Sequence, residues 1–310
     1  MSGRVLHTGQ VVIDLALRLD AMPAPGGDGF AEDGGIHVGG GFNVLLASRQ
    51  LGVETVFCGT LGTGTFSDSA RAGLDRIGVR HAGVTRPEDI GYCVAITDAS
   101  AERTFISTRG AETRDPVDAF DALAPRPDDV IYMSGYSLAS PENEAALLRL
   151  VGRLGGPVCR VLLDVSPMVG TASLDTLEAM RTLAPLWSMN EREALLLGER
   201  LDVDGSTPEE LCAGLSARLG ETLVRAGDAG AWYSLGAEPE HIDSITVEAI
   251  DTNGAGDAHS GVLCAALARG EDLPTALLWA NVAGALSTTR RGPATCPDER
   301  EIIQALRRLP

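Results

Sequence analysis

The residues with the clearest chemical potential lie in one short segment, residues 251–257, which reads Asp-Thr-Asn-Gly-Ala-Gly-Asp. An apolar run at residues 245–250 precedes it and predicts a strand, and helical periodicity follows it. A glycine-rich turn between a strand and a helix favours anion binding, because the first amides of a helix have no intrahelical acceptor. Gly254 and Gly256 would let a ligand approach the backbone closely. The segment therefore predicts an anion site.

Asp257 stands at the head of the predicted helix, where its carboxylate has two uses. The helix amides favour its ionised form, so it could accept a proton from a substrate hydroxyl. An Asp at this place is also a common helix cap. The two preceding glycines and the Asp251-Thr252 pair favour the first interpretation.

Two further segments carry weaker signals. Glycines at residues 39–41 precede Asn43, which predicts a close-approach turn with Asn43 as a helix N-cap. Asn190 followed by Glu193 has the spacing of a capping box, the reciprocal pair that closes a helix start. Each segment alone indicates a helix start and no particular chemistry.

Together the three segments resemble the signatures of the ribokinase-like, PfkB-type carbohydrate kinases. Residues 251–257 match the second signature, D-T-x-G-A-G-D, at every fixed position. Residues 39–52 are similar to the first signature, and residues 190–193 to the N-x-x-E element. Further similarity at residues 9–14, 225–230 and 280–293 extends the resemblance over the whole chain.

The resemblance implies a role for each matching residue. Asp257 would be the catalytic base for the acceptor hydroxyl. The anion hole for the transferring phosphoryl group would be formed by the amides of Gly254, Ala255 and Gly256. The sugar would be held by Asp14, Gly40, Gly41 and Asn43. The ATP side would be lined by Asn190, Arg225, Gly227, Gly230 and Asn281.

The resemblance also implies the ions and the second substrate of such a reaction. ATP would be the phosphoryl donor, and Glu193 would act on Mg²⁺ through water. Asp251, with carbonyls near Ser287 and Gly292, matches the place where many members bind a monovalent cation, K⁺.

The elements that must position these residues follow an alternation of short apolar runs and amphipathic stretches, which predicts βαβ units. We expect an α/β fold: a three-layer αβα, ribokinase-like core with a mostly parallel central sheet and a small β-sheet lid. Two segments, about 15–40 and 91–108, break the alternation, and the second is typical of a hairpin. We predict one kinase domain, residues 1–310, with these segments inserted as the lid. The predicted core strands are residues 53–58, 130–133, 158–163, 186–189, 222–224 and 231–235.

Composition excludes several classes of function. The formal net charge is −18, and all 25 basic residues are arginine. This balance argues against nucleic-acid binding and against an anionic membrane surface. Without lysine, a pyridoxal-phosphate enzyme, a Schiff-base aldolase, a Walker A NTPase and a protein kinase are all disfavoured.

The substrate is less well defined than the reaction. Ribokinase proper has a lysine where this chain has Gly40, so the sugar-side contacts differ. Arg109 on the lid would suit a carboxylate or phosphate on the acceptor, although such a residue is usually solvated. Phe42, Tyr92 and Tyr136 could instead stack on a base, as in a nucleoside kinase. A non-catalytic sugar- or nucleotide-sensing relative is the remaining alternative.

Two other enzyme classes fit poorly. The glycines at residues 59–64 do not complete the G-x-G-x-x-G fingerprint of a dinucleotide-dependent oxidoreductase. Asp257, His259 and Ser260 lie within one helix turn and would not converge as a hydrolase triad.

The chain shows no signal peptide or membrane-span pattern, and its six scattered cysteines indicate buried thiols in a reducing cytoplasm. We therefore expect a cytoplasmic protein. Lid strands have exposed edges, so we also expect a homodimer that pairs through the lid.

Overall fold

The computed structural model describes residues 2–99, 103–114 and 117–308. Its strands are β1 (Val5–His7), β2 (Val11–Arg18), β3 (Asp33–Gly40), β4 (Thr55–Phe57), β5 (Arg80–His81), β6 (Tyr92–Thr97), β7 (Arg103–Ser107), β8 (Val130–Ser134), β9 (Arg160–Asp164), β10 (Leu186–Asn190), β11 (Thr222–Arg225), β12 (Ala231–Ser234) and β13 (Glu240–Ile242). Its α-helices are α1 (Phe42–Gln50), α2 (Thr65–Arg76), α3 (Ala111–Arg114), α4 (Pro141–Leu154), α5 (Leu174–Arg181), α6 (Glu191–Leu201), α7 (Pro208–Leu219), α8 (Ala255–Ala268), α9 (Leu273–Ser287) and α10 (Glu299–Leu306).

The central sheet is mostly parallel. In the part of the chain described, it has nine strands in the order β13-β12-β11-β10-β9-β8-β1-β4-β5. The pairs from β11 to β5 are parallel, and β12 and β13 add antiparallel pairs at one edge. Parallel strands all end at the same edge of a sheet, which is where open α/β sheets usually bind ligands.

Helices cover both faces of this sheet. On β8, Val130 and Tyr132 face a core shared with α1, α8, α9 and α10. Ile131 and Met133 face the opposite core, shared with α4, α5, α6 and α7. Successive strand residues point to opposite faces, so a strand that is apolar at every position must be covered on both sides. The predicted three-layer αβα architecture is confirmed.

A second sheet, which we call the small sheet, has the order β3-β2-β6-β7. Strand β2 pairs antiparallel with β3 and parallel with β6, and β6 pairs antiparallel with β7 as the expected hairpin. The first lid segment was predicted to begin near residue 15, but its first strand, β2, begins earlier, at Val11. The turn of the hairpin, residues 100–102, lies outside the described residues.

Each predicted core strand corresponds to an observed one, with ends shifted by up to two residues. The strand predicted at residues 245–250 is wrong, because this segment has no regular secondary structure. It lies beyond β13, the strand at the edge of the central sheet, and no strand of the described residues pairs with it. Alternating hydrophobicity makes a half-buried strand only where a partner strand completes the hydrogen bonds.

The cysteine prediction is partly wrong. All six cysteines are free thiols, and Cys93 and Cys159 are only half-buried. Among the described residues, no helix combines the length and apolarity needed to cross a bilayer.

Glu112 fastens the base of the β6–β7 hairpin. Its buried carboxylate accepts hydrogen bonds from the amides of Gly91 (2.8 Å) and Gly110 (3.1 Å), which flank the hairpin on its two sides. These two contacts tie the two ends of the hairpin together through one carboxylate.

We predict that Glu112→Ala lowers the free energy of unfolding by about 1–3 kcal/mol, because two buried amides lose their acceptor. Thermal unfolding and hydrogen exchange of residues 91–110 measure the effect. Glu199→Ala, at an exposed position on α6, is the control. Equal changes in the two variants would contradict the assigned role of Glu112.

Candidate active site

Three neighbouring strands end in polar residues at the same edge of the central sheet. Asp164 ends β9, Asn190 ends β10 and Arg225 ends β11. The first turn of α8 lies next to them, since Arg225 Nη1 donates to the Gly256 carbonyl at 3.3 Å. Parallel strand ends and a helix N-terminus therefore meet at one place.

The turn before α8 requires glycine at residue 254. Gly254 is the N-cap of α8 and has a left-handed backbone with φ 77°. A Cβ on Gly254 would lie 2.0 Å from the Pro293 carbonyl oxygen, which is part of a rigid backbone. The Ala255 amide donates to the Thr252 carbonyl at a long 3.3 Å, which closes the turn. The first turn of α8 therefore starts directly against the backbone at Pro293, and a side chain at residue 254 would not fit between them.

Asp257 does not cap α8, because Gly254 is the N-cap and no side chain caps the helix. Its Oδ2 instead accepts a hydrogen bond from Asn43 Nδ2 at 2.9 Å. Burial raises the pKa of Asp257 to about 6, and the Asn43 bond opposes that rise. The carboxylate is therefore held by a side chain of another helix and remains largely ionised at neutral pH.

Asn43 was expected to be an N-cap, and this is wrong. The N-cap of α1 is Gly41, and Asn43 lies inside the first turn. Helix α1 packs so closely on α8 that a Cβ on Gly261 would lie 2.5 Å from the Val44 carbonyl oxygen. This close approach brings the Asn43 amide to Asp257.

Asp14 on β2 and the glycines at the end of β3 and the start of α1 form the side of the site that the small sheet contributes. A Cβ on Gly39 would lie 1.9 Å from Asp14 Oδ2, and one on Gly41 would lie 2.2 Å from His7 Cε1. Gly40 has a left-handed φ of 60°. Burial raises the pKa of Asp14 to about 6, and the Asp14 charge in turn raises the pKa of Asp257. The two carboxyls are therefore electrostatically coupled.

Asn190 and Glu193 form the predicted capping box at the start of α6. Glu193 N donates to Asn190 Oδ1, and Asn190 N donates to Glu193 Oε2, both at 2.9 Å. Glu193 Oε2 also lies 3.6 Å from Arg225 Nη2. Burial raises the pKa of Glu193, and the Arg225 charge opposes this. The box therefore faces the buried guanidinium at the strand ends.

Asn281 and Gly230 meet at one loop beyond the sheet edge. Asn281 Nδ2 donates to the carbonyls of Ile242 (3.0 Å) and Asp243 (3.1 Å). A Cβ on Gly230 would lie 2.2 Å from the same Ile242 oxygen. Gly227, with φ 60°, starts the 3₁₀ turn that ends before Gly230. These residues shape one loop cluster next to Arg225.

Asp251, Ser287 and Gly292 also come together. The Asp251 carboxylate accepts from the amides of Asn253 (2.9 Å) and Gly292 (3.0 Å). Thr295 Oγ1 donates to the carbonyls of Ser287 (3.0 Å) and Gly292 (3.2 Å). The structure thus groups the oxygens expected at a monovalent cation. Within the described ranges, no cluster of three or more His, Cys, Asp or Glu residues suits a metal ion.

Arg109 makes no contact with these groups. Its guanidinium is exposed and donates to the Ala139 carbonyl at 3.3 Å, in the segment after β8.

Asp257, His259 and Ser260 do not converge as a hydrolase triad. Ser260 Oγ donates to Asp164 at 2.7 Å, and His259 Nε2 contacts Asn281 at 3.2 Å.

Asp164 was missed from the sequence, and Ser260 was considered there only as a member of a hydrolase triad. Asp164 had a usable signal, because it is the polar residue at the end of an apolar strand in a parallel sheet. Ser260 had none, because a serine inside a small-residue helix is unremarkable until its partner is known.

Comparisons with known proteins agree over nearly the whole chain. A model described as pfkB family carbohydrate kinase matches residues 3–300. The chain is 28% identical to the uncharacterised sugar kinase YegV of Escherichia coli K12, over 98% of this chain and 99% of that protein. Ribokinase from Thermotoga maritima superimposes with a TM-score of 0.82 at 21% identity, over 99% of this chain and 100% of that one. Arabidopsis thaliana ribokinase, complexed with ribose and ATP, gives 0.81 at 21% identity, over 99% of each chain. The fold is ribokinase-like.

We predict that Gly254→Ala lowers the free energy of unfolding by about 1–3 kcal/mol more than Gly270→Ala, as measured by denaturant titration. Both glycines have a positive φ, 77° and 89°. A Cβ on Gly270 meets nothing within 4 Å, whereas one on Gly254 overlaps the Pro293 backbone. Equal losses would show that the turn does not depend on this close approach.

Proposed function

This chain belongs to the pfkB carbohydrate kinase family, and we propose that it transfers the γ-phosphoryl group of ATP to a hydroxyl of a small sugar or sugar acid. The acceptor oxygen forms a bond to the γ-phosphorus, the bond from that phosphorus to the bridging oxygen breaks, and ADP leaves. Asp257 takes the proton of the acceptor hydroxyl.

One observation carries this proposal: the Asp257 carboxylate stands at the start of α8 without capping it. It is bound by Asn43 at 2.9 Å and buried enough that its pKa rises to about 6. A base of this pKa is ionised at neutral pH yet accepts a proton readily. The amides of Gly254, Ala255 and Gly256 in the same turn would stabilise charge on the transferring group.

The nucleotide side is assigned on the same grounds. We infer that Asn190, Arg225, Gly227, Gly230 and Asn281 line the ATP side, which fits their grouping at the strand ends and the adjoining loops. Glu193 is a buried carboxylate beside them and fits an outer position around Mg²⁺ through water. Mg²⁺, when bound, neutralises charge on the phosphates. Asp251, Ser287 and Gly292 fit a K⁺ site by their clustered oxygens.

Asp14, Gly40, Gly41 and Asn43 would hold the sugar hydroxyls. The left-handed Gly40 supports a contact made by backbone, since a lysine there would be strained. Phe42 is buried in the core and Tyr92 packs against Phe66 at 5.4 Å, which leaves the exposed Tyr136 after β8 as an aromatic that could stack on a base. A sugar or sugar acid is therefore the first candidate, and a nucleoside is the alternative. Arg109 is exposed and suits a carboxylate on the acceptor.

We also infer that the chain acts as one domain in the cytoplasm, with the small sheet as a lid that excludes water from the reaction. Exposed apolar side chains on three strands of this sheet support pairing of two subunits there: Leu17, Ile36, Phe105 and Ile106.

We predict that Asp257→Asn folds normally and loses roughly 10² to 10⁴ in kcat, the usual range for a general base. In the parent protein kcat/KM should fall below about pH 6, because the carboxyl with its raised pKa becomes protonated and cannot accept the proton. Initial rates from pH 5 to 8, with a coupled ADP assay, measure both effects. Near-normal activity in the variant, or a flat profile down to pH 5, would contradict the assignment.

A panel of sugars, sugar acids and nucleosides with ATP should identify the acceptor class. We expect turnover with sugars or sugar acids and none with nucleosides. Arg109→Met should raise KM for a sugar acid about tenfold or more and leave KM for a neutral sugar unchanged. Ligand binding without turnover on any panel member would favour the non-catalytic sensor.

A further inference from the structure

The first turn of α8 is fastened to two strands that are not neighbours. Strands β9 and β11 lie on either side of β10, and each contributes one charged residue to the turn. Asp164 from β9 accepts a hydrogen bond from Ser260 Oγ at 2.7 Å. Arg225 from β11 donates to Ser260 Oγ and to the Gly256 carbonyl, both at 3.3 Å.

The two charged residues are also joined to each other. Arg225 Nη2 donates to Asp164 Oδ1 at 3.1 Å, so the second oxygen of Asp164 remains for Ser260. The side chains of Asp164 and Arg225 are 13% and 12% exposed, and Ser260 is fully buried. The three side chains therefore form a closed ring of hydrogen bonds in which each bond orients the next, and the Gly256 carbonyl is a branch bonded to Arg225.

These contacts lie on both sides of Asp257 along α8. The Gly256 carbonyl belongs to the peptide unit that leads into Asp257, and Ser260 lies one turn further along α8. Fixing both points fixes the direction in which the Asp257 side chain leaves the helix. The carboxylate is then met from the opposite helix by Asn43 at 2.9 Å. One set of contacts holds the backbone and another holds the side chain.

We propose that Asp164, Arg225 and Ser260 act as a clamp on the first turn of α8, and that Asp164 and Ser260 are positioning residues for phosphoryl transfer. The clamp rests on the proposed function, because it acts through Asp257. It fixes the orientation of the Asp257 side chain and of the Gly256 backbone. Ser260 is too buried to touch either substrate, so its effect must pass through the helix turn.

This role predicts a loss of turnover with little loss of binding. A displacement of about 1 Å in a reacting group costs on the order of 10²-fold in rate, whereas ground-state contacts to sugar and ATP stay in place. A residue that only stabilised the fold would lower the amount of active protein and would leave the kcat of the folded fraction unchanged.

The test uses the full-length protein and the acceptor identified in the panel. Ser260→Ala, Asp164→Asn and the double variant are compared by kcat, KM for ATP and KM for the acceptor. Each single variant should lower kcat about 10- to 100-fold, with both KM values within about threefold. The double variant should lose about as much as the worse single one, because both remove the same clamp. Ser216→Ala, which removes a buried hydroxyl bonded to Ser234 at 2.9 Å, is the control and should keep kcat.

Hydrogen exchange gives a readout that does not depend on activity. Peptides covering residues 254–262 should exchange faster in Ser260→Ala than in the parent protein, and Ser216→Ala should leave them unchanged. A kcat within twofold of the parent in Ser260→Ala, additive losses in the double variant, or unchanged exchange would each overturn the clamp. An inactive parent protein, or an active Asp257→Asn variant, would instead overturn the proposed function, and the exchange experiment would still decide the clamp.

Discussion

The site depends on the parallel alignment of neighbouring strands. Because β9, β10 and β11 run the same way, their polar last residues reach one edge together. The N-terminus of α8 closes the same edge from the side, and its amides and dipole give that edge a positive character. Of the acids that gather there, Asp164 and Glu193 share one buried guanidinium, and Asp257 accepts a hydrogen bond from a neutral amide.

Arginine matters at this edge for geometric reasons. Arg225 reaches Asp164, Glu193, Ser260 and the Gly256 carbonyl from a single planar group. A lysine ammonium is a point charge and lacks the fixed fork needed to bridge such partners. The absence of lysine from the chain therefore fits a site in which an arginine organises buried carboxylates and in which, as proposed, backbone amides would surround the anion.

Much of the fold could be predicted from local pattern, and the exceptions have clear causes. Residues 130–133 are apolar at every position, so this strand has to be covered by helices on both faces. That requirement correctly places it in the central sheet. Residues 245–250 alternate as a strand should, yet no neighbouring strand is there to pair with them. Asn43 looked like a helix cap, but packing of α1 on α8 turned it towards Asp257. The capping box at Asn190 and Glu193 was predictable because both partners lie within one turn.

The sequence by itself determined the family, the glycine turn before α8 and the identity of the acid at its head, because these depend on residues that are adjacent in the chain. Only the tertiary structure decided that Asp257 leaves capping to Gly254 and binds Asn43. It also brought Asp164, Arg225 and Ser260 into contact. Those partners are separated by 35 to 214 residues, and their meeting depends on strand order and helix packing, which no local spacing encodes.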